Sequence, residues 1–554
     1  MSGGASGELL VIPAAETCQG ELAKRNMAAR VKCTTLVGIE AYGVDVETQI
    51  IGSLRRFSIV GLPDGVLREA KDRVRCAIEN SGFEFSHREV VVSLAPASLP
   101  KCGSGFDLAI ALSILAAEGH IPAAALHNRA FLGELTLDGR VKPVPGEIAA
   151  ALYAQARGRE LVVSDLSAPH AALVPGVKVR GIVSLLQAVL FLNSRAEVSV
   201  VSAVERSLLT GNTAALGFRD VIGQGAAKRA MEISAAGGHN LLMIGPPGAG
   251  KSMLARRMLS IVPPLDESEA IEVTKIYSGV AVQNRGGTPG EQAGFLMLER
   301  PFRTPHHTIS AAGLIGGGSN PIPGEISLAH KGVLFLDEFV ELRRDVLESL
   351  REPLENRSVV ISRAKMRIRF PADFLLLAAM NPCPCGRHGL QPESPGPERV
   401  PGRARPEGPG HFCECPPQAI RRYLSRLSGP IVDRMDLQVW LPAVPFAELV
   451  KECGEDPTPA MRVRVESARS IQAGRYKAAG KLNTHLETEE IKRFCNLSEP
   501  SRKLLEAAAR KLSLSARGYM RVMRVSRTVA DLMGAEVITQ EHLAEALSYR
   551  MQMG

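Results

Sequence analysis

Residues 240–259 read NLLMIGPPGAGKSMLARRML, and the rest of the chain is best understood outward from them. The run Leu241–Ile244 is short and apolar, as expected of a strand buried inside a parallel sheet, and a helical pattern follows Gly250. Between them Gly245, Pro246, Pro247, Gly248, Ala249, Gly250, Lys251 and Ser252 fit the G-x-x-x-x-G-K-[ST] phosphate loop. Glycines there let backbone N–H groups curl around phosphates, and the helix N-terminus adds partial positive charge. Lys251 is placed to reach the β- and γ-phosphates of ATP, and Ser252 to ligate Mg²⁺. The bland alternative, a glycine-rich turn with no ligand, is disfavoured by the strand before and the helix after.

Two further strands supply what such a site needs. In GVLFLDEF (332–339), four apolar residues deliver Asp337 and Glu338 to the carboxyl edge of a sheet, where open α/β folds bind nucleotides. Asp337 suits holding Mg²⁺ through water, and Glu338 suits orienting and deprotonating the attacking water. An apolar strand ending in Asp-Glu is common alone; behind a phosphate loop it is specific. The strand DFLLLAAMN (373–381) ends in Asn381, whose amide can touch the γ-phosphate and the lytic water. A turn-capping asparagine is the alternative.

Beyond this centre, 554 residues exceed what one core supports, so several domains are expected. Residues 1–28 are small and polar and read as a flexible extension. Residues 29–195 alternate strands such as RFSIVGLP (56–63) and EVVVSLAP (89–96) with helical stretches, forming one α/β domain. A linker is expected over 196–216, a second α/β unit over 217–444, and an all-helical lid over 445–554. No apolar run approaches the roughly 18 residues of a membrane span and no secretory signal opens the chain, so a cytoplasmic protein without a membrane partner is expected. An aromatic content of 4% argues against reading single strands mainly by base stacking. The formal charge of +8 is modest for this length, so a nucleic-acid partner needs local support.

That support lies in RSVVISRAKMRIRFPAD (357–373). Arg363, Lys365, Arg367 and Arg369 alternate with Ala364, Met366, Ile368 and Phe370, which on a strand gives one basic and one apolar face. An ordinary solvated face reads the same way. Farther on, Cys383-Pro-Cys385 and Cys413-Glu-Cys415 bracket an insert (383–415) rich in Pro, Gly and Arg. Four thiolates suit a structural Zn²⁺, although C-x-C is tighter than the usual spacing, and His388 or His411 are possible substitutes. Unligated reduced thiols are the alternative.

RPFRTPHHTISAAGLIGGGSNPIPGEISLAHKGVLFLDE (300–338), SGPIVDRMDLQV (428–439) and SARGYMRVMRVSRTVADL (515–532) resemble magnesium-chelatase ATPase subunits and ComM/YifB proteins. FSIVGLPDGVLREAKDRVRCAIENSGFEF (57–85), SLAPASLPKCGSGFDLAIALSIL (93–115) and FLGELTLDGRVKPVPGEIAAAL (131–152) resemble the N-terminal domain of the ComM/YifB family, itself similar to the Lon protease domain. Met27 begins a stretch, MAARVKC, that looks like the usual family start, so what precedes it is an extension or a misplaced start codon.

The resemblance implies a Lon-protease-like (S5-type) α/β domain followed by a P-loop AAA+ α/β domain with an all-helical C-terminal lid. It implies a nucleotide-dependent homo-hexamer in which Asn381 is sensor 1, Arg434 is an arginine finger serving the neighbour's nucleotide, and Arg517 is sensor 2. An Asp–Arg structural ion pair is the alternative for Arg434. The basic strand becomes a hairpin facing the pore, with Arg363 and Lys365 nearest its tip, and Arg303–Gly318 a companion loop. The two histidines of that loop lack a third and fourth metal ligand nearby. The implied activity is ATP-driven branch migration on single-stranded or branched DNA, in recombination during natural transformation.

A Lon-like protease is a rival, because LGELTLDGRVKPVPG sits well on the Lon pattern. Serine–lysine chemistry needs a lysine base. Ile148 holds that position, and Gly105 holds the serine position with Ser104 one residue off, so the domain reads as proteolytically inactive. A chelatase-type remodeller of a protein partner and a DNA-binding scaffold with a degenerate ATP site are the remaining rivals.

Overall fold

The computed structural model describes residues 29–52, 55–61, 65–101, 103–201, 216–281, 297–318, 321–363, 366–388, 413–444, 455–478, 480–511 and 514–550. These fall into two compact units: residues 29–201 with 274–281, and residues 216–273 with 297–550. Among the described residues no helix is long and apolar enough to cross a membrane.

The first unit is built on a seven-stranded mixed sheet. Its strands are β1 (Ala29–Val37), β2 (Glu40–Ile51), β3 (Phe57–Val60), β4 (Glu89–Ala95), β5 (Arg129–Phe131), β8 (Glu160–Ser164) and β9 (Val179–Ile182), in the order β3-β4-β2-β1-β5-β8-β9. A separate hairpin pairs β6 (Glu134–Leu135) with β7 (Val141–Lys142). Antiparallel register sets Val31 opposite Val46, and Val46 opposite Leu94, so one sheet face is apolar. Helix α1 (Gly65–Asn80) buries Leu67, Ala70, Val74, Ala77 and Ile78, the stripe of a one-sided helix. Helix α2 (Asp107–Ala117) is apolar nearly all round and correspondingly buried, packed over β1 and β2.

The second unit carries a five-stranded parallel sheet. Its strands are β10 (Leu241–Ile244), β11 (Phe302–Arg303), β14 (Val333–Leu336), β17 (Leu375–Met380) and β18 (Leu437–Trp440), in the order β11-β14-β17-β10-β18. β10 and β14 are buried at every position, which is why both read as unbroken apolar runs. Sequence order reverses direction around β10, which makes the carboxyl end of β10 the expected ligand crevice of an open sheet. Two hairpins stand apart, β12 (Gly316–Gly317) with β13 (Ile322–Pro323), and β15 (Ser358–Arg363) with β16 (Met366–Pro371).

Helices complete this unit. α3 (Gly225–Gly237) precedes β10, α4 (Lys251–Arg257) follows it, and α5 (Thr458–Tyr476) and α6 (Ala516–Leu532) lie near the C-terminus. α5 docks on α3 by side-chain bonds to its open carbonyls: Arg469 donates to Ala235 O at 2.7 Å and Gln472 to Ala236 O at 3.1 Å. Val465, Val522, Val529 and Leu543 join one core with Met231, Leu241 and Leu437, so the C-terminal helices share the core of the sheet.

Candidate nucleotide site and its surroundings

The loop 245–250 is shaped by its glycines. Gly248 and Gly250 take positive φ values of 81° and 87°, which other residues adopt only with strain. A Cβ at Gly245 would lie 2.5 Å from Leu441 O, so only glycine lets β10 and the end of β18 approach this closely. Lys251 is buried, and its ammonium donates to Gly245 O (2.7 Å), Pro246 O (2.9 Å) and Asn381 Oδ1 (3.1 Å). Burial lowers its pKa from the ordinary lysine value, against the opposing pull of Asp337. The lysine fills the anion seat by bridging the carbonyls at its rim.

The carboxyl ends of β10, β14 and β17 bring the expected groups together. Ser252 Oγ donates to Asp337 Oδ2 at 2.6 Å, and Asp337 Oδ1 accepts the Glu338 backbone N–H at 2.9 Å. Glu338 sits at φ 50°, a strained turn that directs its half-exposed side chain out of the sheet. Its Oε2 lies 3.0 Å from His307 Nδ1, and the His307 ring packs on His306 with centroids 4.2 Å apart. Ser252 Oγ beside the Asp337 carboxylate, next to the glycine-shaped loop, fits a Mg²⁺-bound nucleotide.

The cysteines adjoin this site. The Sγ atoms of Cys383, Cys385, Cys413 and Cys415 all lie within 4.8 Å of one another, with separations of 3.3 Å between Cys383 and Cys385 and 3.6 Å from each of these to Cys413. A tetrahedral zinc with Zn–S near 2.3 Å needs sulfurs about 3.8 Å apart, so the group fits that ion. Desolvation raises the Cys385 pKa, but the Arg387 backbone N–H and the neighbouring thiols overcome it and bring it down to about 6. His388 donates its backbone N–H to Cys383 Sγ at 3.3 Å. His411, and the middle of the insert, lie outside the described residues. The turn closing Cys383–Gly386 lies on the phosphate loop: a Cβ on Gly386, at φ 76°, would come 2.5 Å from Pro247 Cδ.

Arg434 and Arg517 are elsewhere. Both pair with Glu355, Arg517 at 3.5 Å, in a cavity of about 720 Å³ that also includes Asn240, Val333, Leu375 and Asp436. Those four residues mark the amino ends of β10, β14, β17 and β18, so this is the sheet edge opposite Lys251. Within one chain Arg517 therefore lies apart from Lys251, at the amino ends of the strands with Arg434. Arg434 is buried, and its Nε finds no partner among the described residues; the same holds for Arg521 Nη1 and Arg524 Nε. Burial lowers the pKa values of Arg521 and Arg524, with Asp436 opposing. This edge holds more cationic donors than its carboxylates satisfy.

The basic hairpin has the expected two faces. Ile368, Phe370, Val359 and Ile361 are buried, while Arg363, Arg367 and Arg369 are exposed. Fully burying an aromatic such as Phe370 stabilises the hairpin by about 2–3 kcal/mol, which frees the opposite face to be all charge. Lys365, expected nearest the tip, and Ala364 lie outside the described residues. Arg363 leans on the companion loop, its Nε 3.4 Å from Gly318 O.

In the first unit, a Cβ at Gly105 would lie 3.0 Å from Leu132 Cδ1, so the loop has little room for a side chain there. Ser104 Oγ donates to the Glu134 carboxylate, and Ile148 is buried. Sequence reasoning missed three links: His307 to Glu338, Glu355 to both arginines, and Gly386 to Pro247. The histidine pair in RTPHHT was visible but was tested only as a metal site; nothing in the sequence marks Glu355.

Three family models match the chain. "Magnesium chelatase, subunit ChlI" covers residues 217–398 and 401–449, "Subunit ChlI of Mg-chelatase" covers 46–166, and "Magnesium chelatase, subunit ChlI C-terminal" covers 455–550. The chain is 42% identical to competence protein ComM of Haemophilus influenzae, across 93% of this chain and 96% of that protein. It is 40% identical to the uncharacterized protein YifB of Salmonella typhimurium, across 94% and 97%, and 40% identical to YifB of Escherichia coli, across 93% and 95%.

Proposed function

Because the chain belongs to the ComM/YifB family of magnesium-chelatase-related AAA+ proteins, we propose that it is a cytoplasmic, ring-forming ATPase that moves DNA, acting in branch migration during recombination of incoming DNA. The observation that carries this reading is the division of the ATPase groups between opposite edges of one sheet. Lys251, Ser252, Asp337, Glu338 and Asn381 converge at the carboxyl edge, while Arg434 and Arg517 gather at the amino edge around unsatisfied guanidinium donors. A buried arginine such as Arg434, whose Nε has no partner among the described residues, suits an anion brought by another copy. Head-to-tail contacts of this kind close into rings, and six copies is the number the family resemblance implies.

In such a ring the triphosphate enters loop 245–250, and Lys251 exchanges its carbonyl partners for phosphate oxygens. Ser252 and Asp337, already in contact, would hold Mg²⁺, which when bound neutralises charge on the β- and γ-phosphates. Glu338 takes a proton from the attacking water as the bond to the γ-phosphorus forms and the bond to ADP breaks. Asn381 orients that water, and the neighbour's Arg434 meets the charge on the transferring group. Arg517 reports from the same neighbour. The four cysteines would hold Zn²⁺, tying the insert 383–415 to Pro247.

Arg363, Lys365, Arg367 and Arg369 supply the DNA contact, following phosphates without reading bases. The name of the relative, competence protein ComM, supports a role in competence. The first domain, Lon-like, acts as a scaffold; crowding at Gly105 and burial of Ile148 support its lack of protease chemistry. The test is ATP turnover with and without four-way-junction DNA, for wild type, Glu338→Gln, Lys365→Ala and Arg363→Ala. Stimulation by DNA is expected, with turnover lost in Glu338→Gln and stimulation lost in the two hairpin variants. Turnover indifferent to DNA overturns the reading and points to a protein substrate.

A further inference from the structure

We propose that Asn240 is a positioning residue that aims Arg434 at the neighbour's nucleotide, an inference that deepens the ring reading above and rests on it. Asn240 is the residue from which β10 starts, at the amino edge of the sheet. Five residues separate it from Gly245, which at the rise of a strand is about 16 Å. That is too far for its side chain to touch phosphate held by its own chain, so its contacts act at the amino edge.

Both ends of the Asn240 amide are committed. Nδ2 donates to Arg434 O at 3.2 Å, and Oδ1 accepts the Leu376 N–H at 3.1 Å. A side-chain amide offers a donor and an acceptor at once, and these two partners fix which end is which. Leu376 lies one residue ahead of the first β10–β17 pair, Leu241 with Leu377, so the side chain extends that pairing by one bond. The main chain of Asn240 holds the loop that follows Arg434. Its N–H donates to Asp436 Oδ2 at 3.1 Å, and its carbonyl accepts from Asp436 N and Leu437 N, both at 3.0 Å. Those bonds prolong the β10–β18 pairing and fix residues 436 and 437, but Arg434 lies beyond them. Among the described residues Asn240 Nδ2 is the one donor to the Arg434 carbonyl. The other contacts of Arg434 are local: its N–H donates to Ile431 O at 2.9 Å, and its guanidinium donates to Pro430 O at 2.7 Å and pairs with Glu355. Without the amide the arginine keeps these partners and loses its tie to the sheet. The preceding residue acts alike on α6, the helix that carries Arg517, since His239 Nε2 lies 2.7 Å from Thr528 Oγ1. His239 and Asn240 thus refer both arginines to the strand that ends in the phosphate loop. Such placement matters because a shift of about 1 Å at a reacting group costs on the order of 100-fold in rate.

The experiment measures ATP turnover and ATP binding for full-length Asn240→Asp and Asn240→Ala. Asn240→Asp has the same shape, keeps the acceptor for Leu376 and loses the donor to Arg434. In both variants kcat should fall by about 10- to 100-fold, with KM and ATP affinity near wild type. Asn240→Asp mixed with Glu338→Gln should regain turnover, because Glu338→Gln supplies an intact amino edge. Mixed with Arg434→Ala it should not. Asn240→Asp combined with Arg434→Ala in one chain should turn over no more slowly than Arg434→Ala alone, since one route carries both effects. An unchanged kcat, a loss of ATP affinity, or a further loss in the double variant overturns the proposal. If Arg434→Ala and Glu338→Gln do not complement each other, the ring reading fails on its own account, and the double variant still decides whether Asn240 acts through Arg434.

Discussion

The two edges of the five-stranded sheet in the second unit are built from the same four strands and have opposite electrostatics. At the carboxyl edge the buried Lys251 is satisfied by two carbonyls and Asn381, and the carboxylates Asp337 and Glu338 each have a neighbour that holds them. At the amino edge Arg434, Arg521 and Arg524 each keep a donor without a partner among the described residues, although Glu355 and Asp436 lie among them. The amino edge gathers guanidinium groups that the described residues leave partly unpartnered. The difference teaches that the residues expected to serve hydrolysis lie on both edges of the sheet, which is what supports the proposed ring.

The largest effect expected from breaking this contrast is at Arg434. Arg434→Ala should lower ATP turnover by about 10³–10⁵, the range for loss of an arginine finger, while ATP affinity measured on the same protein stays near wild type. A fall in affinity instead would mean that Arg434 acts structurally through Glu355. A smaller effect is expected where the cysteine cluster meets the carboxyl edge. Chelation of zinc should raise the KM for ATP several-fold, with recovery on adding Zn²⁺, because the turn carrying Gly386 then ceases to buttress Pro247. Gly386→Ala should act in the same direction with zinc still bound, since the left-handed backbone alone costs about 1–2 kcal/mol. Unchanged ATP binding in both would separate the cluster from the phosphate loop.

Much of the carboxyl edge was legible in the sequence because it is local. A strand, a loop and a helix within residues 240–259 position Gly245, Lys251 and Ser252, and two more apolar strands present Asp337, Glu338 and Asn381 with no long-range information needed. The hairpin was legible for the same reason, its alternation of Arg367, Ile368, Arg369 and Phe370 being a period of two. The amino edge was not legible. Glu355 meets Arg434 and Arg517 across 79 and 162 positions of sequence, and no spacing rule announces such a meeting. The motif that marks Arg517 carries its role but not its location, because the packing of α5 on α3 decides on which side of the sheet the C-terminal helices lie. The contact of His307 with Glu338 depends on a loop folding back over thirty residues, and the contact of Gly386 with Pro247 on a turn that meets the phosphate loop after another strand.

The measurement that tests the division of labour most directly mixes two inactive proteins. Glu338→Gln has a dead site and an intact Arg434, and Arg434→Ala has the reverse. If the amino edge of one copy serves the carboxyl edge of the next, an equal mixture should recover about a quarter of wild-type turnover, the fraction of interfaces in a randomly mixed head-to-tail ring that pair two intact halves. Recovery should depend on protein concentration. A mixture that mixes freely, assembles, and remains as inactive as its components would contradict the account, and would return Arg434 to a structural role beside Glu355.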